Sequence, residues 1–152
     1  MRRRRQLPAA PIIIFILFIL LIFLFARACL PESAKAKRIV DQFYTYEQKG
    51  EFGKSWELLH EAMHQRFEKG SYIQDRAHTF IGHFGAETFT YKIDGGKKKT
   101  NWKMQKDGEP IGDTYEFTVT KTYRGKYGHF QFVQYVYVLK EEKDWRILWD
   151  YN

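Results

Sequence analysis

Residues 114–123 read TYEFTVTKTY, and Arg124-Gly125-Lys126 separates them from the run FVQYVYVL within residues 127–140. In the first run Tyr115, Phe117 and Val119 alternate with Glu116, Thr118 and Thr120, the period of a strand with one buried face. The second run is apolar on both faces through Phe130–Leu139, as expected of a long central strand. A short Gly-containing turn between two such runs predicts a hairpin, hence antiparallel pairing. Working outward, residues 88–93, 98–105 and 145–151 share the Thr, Val, Tyr, Phe and Trp enrichment. Asp94-Gly95-Gly96, Asp107-Gly108 and Glu141–Asp144 supply the other turns. About five strands in a curved, mainly antiparallel sheet are expected. Trp145, Ile147 and Trp149 alternate with Arg146 and Asp150, which gives the last strand a buried face.

Upstream the period changes. Residues 31–50 place Ile39, Val40, Phe43, Tyr44 and Tyr46 on one stripe and stop at Gly50. After Gly53, Trp56, Leu59, Met63 and Phe67 recur at three and four, up to Gly70. Ser71 reads as the N-cap of a third helix that carries Tyr72, Ile73, Ala77, Phe80 and Ile81 and closes at Gly82 and Gly85. Helices first and strands second predict an α+β domain with three helices over one face of the sheet.

The amino terminus is of another kind. Residues 7–26 carry no charge, and every residue from Ile12 to Phe25 is Ile, Leu or Phe. Residues 9–26 as a helix reach about 27 Å, near the hydrocarbon thickness of a bilayer. Residues 1–29 are therefore expected to be a basic cytoplasmic stub and a single-pass transmembrane anchor, with Arg2–Arg5 inside and residues 30–152 extracytoplasmic. Cleavage after Ala26-Arg27-Ala28 and lipidation of Cys29 are the alternatives; Ala26-Arg27-Ala28 makes a poor lipobox. The anchor also explains the charge. Of 25 basic residues, Arg2, Arg3, Arg4, Arg5 and Arg27 flank the apolar run, and all 18 acidic residues follow Pro31. The remaining 20 basic against 18 acidic groups make a mixed surface, which excludes a nucleic-acid binder. Cys29 is the only cysteine, so no internal disulfide can form.

Phe43, Gly50-Glu51-Phe52, Trp56-Glu57-Leu58-Leu59-His60, Phe67, Tyr72 and the ending Asp144-Trp145-Arg146-Ile147-Leu148-Trp149-Asp150 resemble NTF2-like domains. The chain is similar to the extracytoplasmic NTF2-like module of some Gram-positive transpeptidases and stand-alone envelope proteins. The resemblance covers about residues 33–152. It implies a cone of helices on a curved sheet with a concave pocket between them, and leaves function open, since the superfamily holds enzymes, binding modules and scaffolds.

Three constellations could carry chemistry. His60-Glu61-Ala62-Met63-His64 matches H-E-x-x-H, in which two imidazoles one helical turn apart bind Zn²⁺ and the Glu activates its water. A metzincin continuation would need Gly at position 67 and His at position 70, where Phe67 and Gly70 stand. Glu87, Asp75 and His78 are the conceivable third ligands, and the motif is read as a chance match, with no metal or cofactor expected. An NTF2-like pocket would draw on Asp75, His78, His83, Tyr91, Tyr115, Tyr135 and Asp150 for acid–base work; the plain alternative is that Asp75 and Arg76 form a solvated helix face. Lys97-Lys98-Lys99 is a basic patch for wall polymers or lipid headgroups, or a charged edge that blocks strand aggregation.

The expected function is that of a membrane-anchored, non-enzymatic interaction or scaffold domain of the cell envelope. Its partners would be the lipid bilayer and an envelope protein or itself as a homo-oligomer. A ligand-binding or catalytic NTF2-like pocket, and a subunit of a secretion or conjugation machine, are the alternatives.

Overall fold

The structure, a computed structural model, describes residues 9–28, 31–78, 88–126 and 128–150; within the first helix, side chains are described for residues 13–22. Contacts divide the chain into Met1–Pro31 and Glu32–Asn152. In the first unit, α1 runs Ala9–Ala28, and Ile13–Ile22 are all exposed. The expected transmembrane helix is not shown. Among the described residues no helix is long and apolar enough to cross a membrane.

The second unit is α+β. Its helices are α2 (Glu32–Gln48), α3 (Phe52–Trp56), α4 (Glu61–Arg66) and α5 (Lys69–Ala77). Its strands are β1 (Phe89–Lys103), β2 (Pro110–Gly125), β3 (Gly128–Glu141) and β4 (Asp144–Leu148), all antiparallel and in that spatial order. The turns expected at Asp107-Gly108 and Glu141–Asp144 each join two strands, whereas Arg124 and Gly125 belong to β2 and pair with His129 and Gly128.

Among the described residues the expected five strands are four, because Asp94-Gly95-Gly96 is not a turn. Gly95 and Gly96 have φ of 97° and 108°. They form a bulge inside β1: Gly95 pairs with Phe117 and Lys97 with Glu116, so Gly96 is the extra residue and β1 stays on the same partner. A Cβ on Gly95 would lie 3.0 Å from the Glu116 carbonyl oxygen, and one on Gly96 3.3 Å from the Phe117 ring. Only glycine lets the edge strand bend this closely over β2.

Among the described residues the expected three domain helices are four. The helix read from Gly53 to Gly70 breaks at residues 57–60, where Leu59 bridges Ile147 in parallel. His60 N–H donates to the Ile147 carbonyl (3.0 Å) and Ile147 N–H to the Leu58 carbonyl (2.9 Å). Those backbone groups cap the outer edge of β4, and covering a sheet edge outweighs continuing a helix whose apolar stripe suits either form. Glu68, not Ser71, is the N-cap of the next helix; its side chain accepts from Ser71 N–H (3.0 Å), which leaves Gly70 inside the first turn.

Helices and sheet meet over Val40, Phe43, Tyr44, Leu59, Met63, Phe117, Val119, Tyr123, Val136, Val138 and Ile147, all buried. Alternation puts Phe117, Val119, Lys121 and Tyr123 on the helix-facing side of β2, with partners Val136, Gln134, Phe132 and Phe130 on β3. Thr118, Thr120, Thr122, Val133 and Tyr135 therefore share the outer side.

Candidate functional site

Eight polar side chains converge between the helices and the inner side of the sheet. Tyr44 and Glu47 lie one turn apart on α2, as do Tyr72 and Arg76 on α5. Ser55 comes from α3, Lys121 and Tyr123 from alternate positions of β2, and Gln134 from β3. Glu47, only 5% exposed, is the hub. Its Oε1 lies 2.5 Å from Ser55 Oγ and accepts from Tyr72 OH at 2.9 Å. Arg76 Nε stands 3.6 Å from Oε2. Ser55 Oγ also lies 3.0 Å from the Phe52 carbonyl, but its one proton is better spent on the nearer, charged oxygen. The Arg76 guanidinium rests 5.1 Å over the Tyr72 ring and 6.0 Å over that of Trp149.

Lys121 is the unusual member, at 7% exposure. Its Nζ lies 5.8 Å over the Tyr44 ring, whose hydroxyl donates to Gln134 Oε1 at 3.0 Å. Burial pushes the Lys121 amine down to about 8; nearby Arg76 acts in the same direction and Glu47 against it. At pH 7 such an amine is neutral in about a tenth of molecules. Burial pushes the Tyr44, Tyr72 and Tyr123 phenols up, partly offset by Arg76, so all three stay protonated hydrogen-bond donors. The cluster can thus offer cations and phenolic donors, while its one carboxylate is engaged by Ser55, Tyr72 and Arg76.

The residues read from the sequence do not gather there. Asp75 and His78 are exposed at the end of α5. Tyr91 sits at the rim, its OH 2.9 Å from Thr45 Oγ1 and 2.9 Å from Asp41 Oδ1. Tyr115 OH donates to Glu32 Oε2 at 3.1 Å, and Tyr137 OH lies 3.4 Å from Asp150 Oδ2. Tyr135 is on the outer side of the sheet. His83, Glu87 and Cys29 lie outside the described residues.

His60 and His64 do not share a helical face. His60 precedes α4 as its N-cap, with ψ of 154°. Its Nδ1 accepts from Ala62 N–H at 3.0 Å and its Nε2 lies 2.8 Å from Glu141 Oε1. The His64 ring stacks on Trp56 at 3.8 Å, with Nε2 2.9 Å from the Trp56 carbonyl and Nδ1 3.6 Å from Glu61 Oε2. Among the described residues no group of three His, Cys, Asp or Glu could hold a metal ion. Lys97, Lys98 and Lys99 lie on the edge strand β1; Lys98 pairs with Asp113 at 3.0 Å and Lys99 with Glu116 at 3.1 Å.

Sequence reasoning missed Glu47, Arg76 and Lys121. One signal pointed to them: continuing the alternation Phe117, Val119 by one step puts Lys121 inward. No family model matches the chain, and no curated protein matches it in sequence.

Proposed function

We propose that this chain is a membrane-attached, non-enzymatic interaction domain that binds a protein of the cell envelope through the outer side of its sheet. One observation carries the reading: Val133 and Tyr135 are 60% and 54% exposed on that side. Beside them in register stand Thr120 and Thr118 of β2, so the strip is uncharged on both strands. Exposed apolar side chains grouped on one face mark contact surfaces, and tyrosine is a frequent anchor there. Membrane attachment is supported by α1, whose Ile13–Ile22 side chains are 50–66% exposed. Moving such surface from water into lipid is favourable by about 25 cal/mol per Å². The dispersal of the acid–base candidates, and the engagement of Glu47 by three neighbours, support a binding rather than a catalytic role.

Pull-down from detergent-solubilised membranes tests the surface. The Val133→Lys, Tyr135→Lys double variant is expected to recover about tenfold less partner than the parent chain, the loss typical of a desolvated hot spot. Lys97→Glu, on the edge strand, is expected to recover as much as the parent. Equal recovery with the double variant would contradict the proposal.

A further inference from the structure

The two edges of the sheet differ. The outer edge of β4 is covered by the backbone of residues 57–60, whereas β1 pairs only with β2. The Phe89 carbonyl accepts from Gln48 Nε2 at 2.7 Å, so the backbone of Phe89 faces away from β2. Hydrogen-bonding direction alternates along an antiparallel strand, so the backbones of Tyr91 and Ile93 face the same way. Among the described residues no backbone group of another element reaches them. Lys92 and Asp94 flank Ile93 on the outer side of the sheet, beside Thr120 and Thr118. Their side chains are 76% and 52% exposed, with Lys92 Nζ 2.9 Å from Asp94 Oδ2.

We infer that β1 pairs antiparallel with β1 of a second copy of this chain, about a two-fold axis at Ile93. Charge chooses both the occupant and the register. With the axis at Ile93, Lys92 of each copy stands directly opposite Asp94 of the other, and Tyr91 opposite Gly95. Moving the axis to Lys92 or to Asp94 sets lysine against lysine or aspartate against aspartate, which is unfavourable. Moving it to Tyr91 sets Lys92 against Thr90 and loses both ion pairs. The sequence Lys92-Ile93-Asp94 is thus self-complementary about its own centre, and a two-fold contact uses the match twice. The bulge at Gly95 and Gly96 bends β1 and confines the pairing to Tyr91–Gly95. Joining β1 to β1 consumes the edge that was open, and β4 is already covered, so assembly closes at two copies. Val133 and Tyr135 lie on β3, away from this edge, and the inference is independent of the partner proposed above.

The test is sedentation-type mass measurement by analytical ultracentrifugation of the full chain in detergent micelles, over a range of concentrations. The parent chain is expected to dimerise. Lys92→Asp makes both flanking charges negative and Asp94→Lys makes both positive, so each variant alone is expected to dimerise about tenfold more weakly. An equimolar mixture of the two sets every negative group opposite a positive one and is expected to restore the dimer. The mixture also separates pairing between copies from the Lys92–Asp94 contact within one copy, which neither variant retains. The unfolding midpoint of each variant verifies that it is folded. A monomeric parent, a dimer unchanged in either variant (as association through α1 would give), or a mixture no more dimeric than its components would each overturn the inference.

Discussion

Glu47→Ala lowers the unfolding free energy by about 3–5 kcal/mol, the largest loss expected of any polar substitution in the domain. The carboxylate is 5% exposed and receives Ser55, Tyr72 and Arg76 from two other helices. Removing it takes this acceptor from the Tyr72 hydroxyl and the Arg76 guanidinium while Lys121 stays nearby, so among the eight side chains only the cationic charges remain. Water that enters the gap recovers only part of the loss. Glu47→Gln keeps the shape and one acceptor oxygen and should lose less, about 1–3 kcal/mol. Urea unfolding of the full chain followed by tryptophan fluorescence measures both. A loss below about 1 kcal/mol for Glu47→Ala would mean that the cluster does not tie α2, α3 and α5 together.

Lys121→Met has the opposite sign. Lys121 titrates near 8 in the folded chain, against an ordinary value of 10.5. The folded state thus releases the proton before the unfolded state does. Between about pH 8 and 10.5 the unfolded chain binds more protons, so stability rises with pH across that window. Below pH 8 both states are protonated and the penalty is fully present, at most about 3 kcal/mol. A methionine of similar length fills the space without charge, and loses the contact over Tyr44. The variant is expected to gain about 1–3 kcal/mol at pH 7 and to lose the rise in stability between pH 8 and 10.5. Paired urea midpoints at pH 7 and pH 9.5 decide it; destabilisation at pH 7 would show that the ammonium is a net stabilising group. Together the two substitutions separate the groups of one cluster: Glu47 holds it together and Lys121 strains it.

The legible part of the fold was the part written in local patterns. Alternation in residues 114–123 and the turns at Asp107-Gly108 and Glu141–Asp144 each describe neighbours in sequence, and β2, β3 and β4 follow from them. Gly95-Gly96 is ambiguous because two glycines with positive φ serve a turn and a bulge equally; the choice falls to Phe117 and Glu116, about twenty residues away. The break at residues 57–60 is likewise decided elsewhere, by the unpaired edge that Ile147 would otherwise present. Lys121 was hidden by the habit of reading lysine as solvent-facing, although its parity placed it inward. Arg76 reads as surface on its own helix, yet it turns inward beside Glu47 and over the Tyr72 and Trp149 rings. Tyr135 shows the reverse. It sits in a run that looks buried on both sides, but nothing among the described residues covers its outer side.

That uncovered side is where the account is most exposed to test. A photo-crosslinking amino acid placed at position 135 of the full chain, in intact cells, reports directly what touches it. At Gln105, in the exposed β1–β2 loop, the same group serves as the reference. The account predicts one discrete heavier adduct from position 135, containing a second protein, and none of that mass from position 105. No adduct from position 135, or the same diffuse set from both positions, would contradict it.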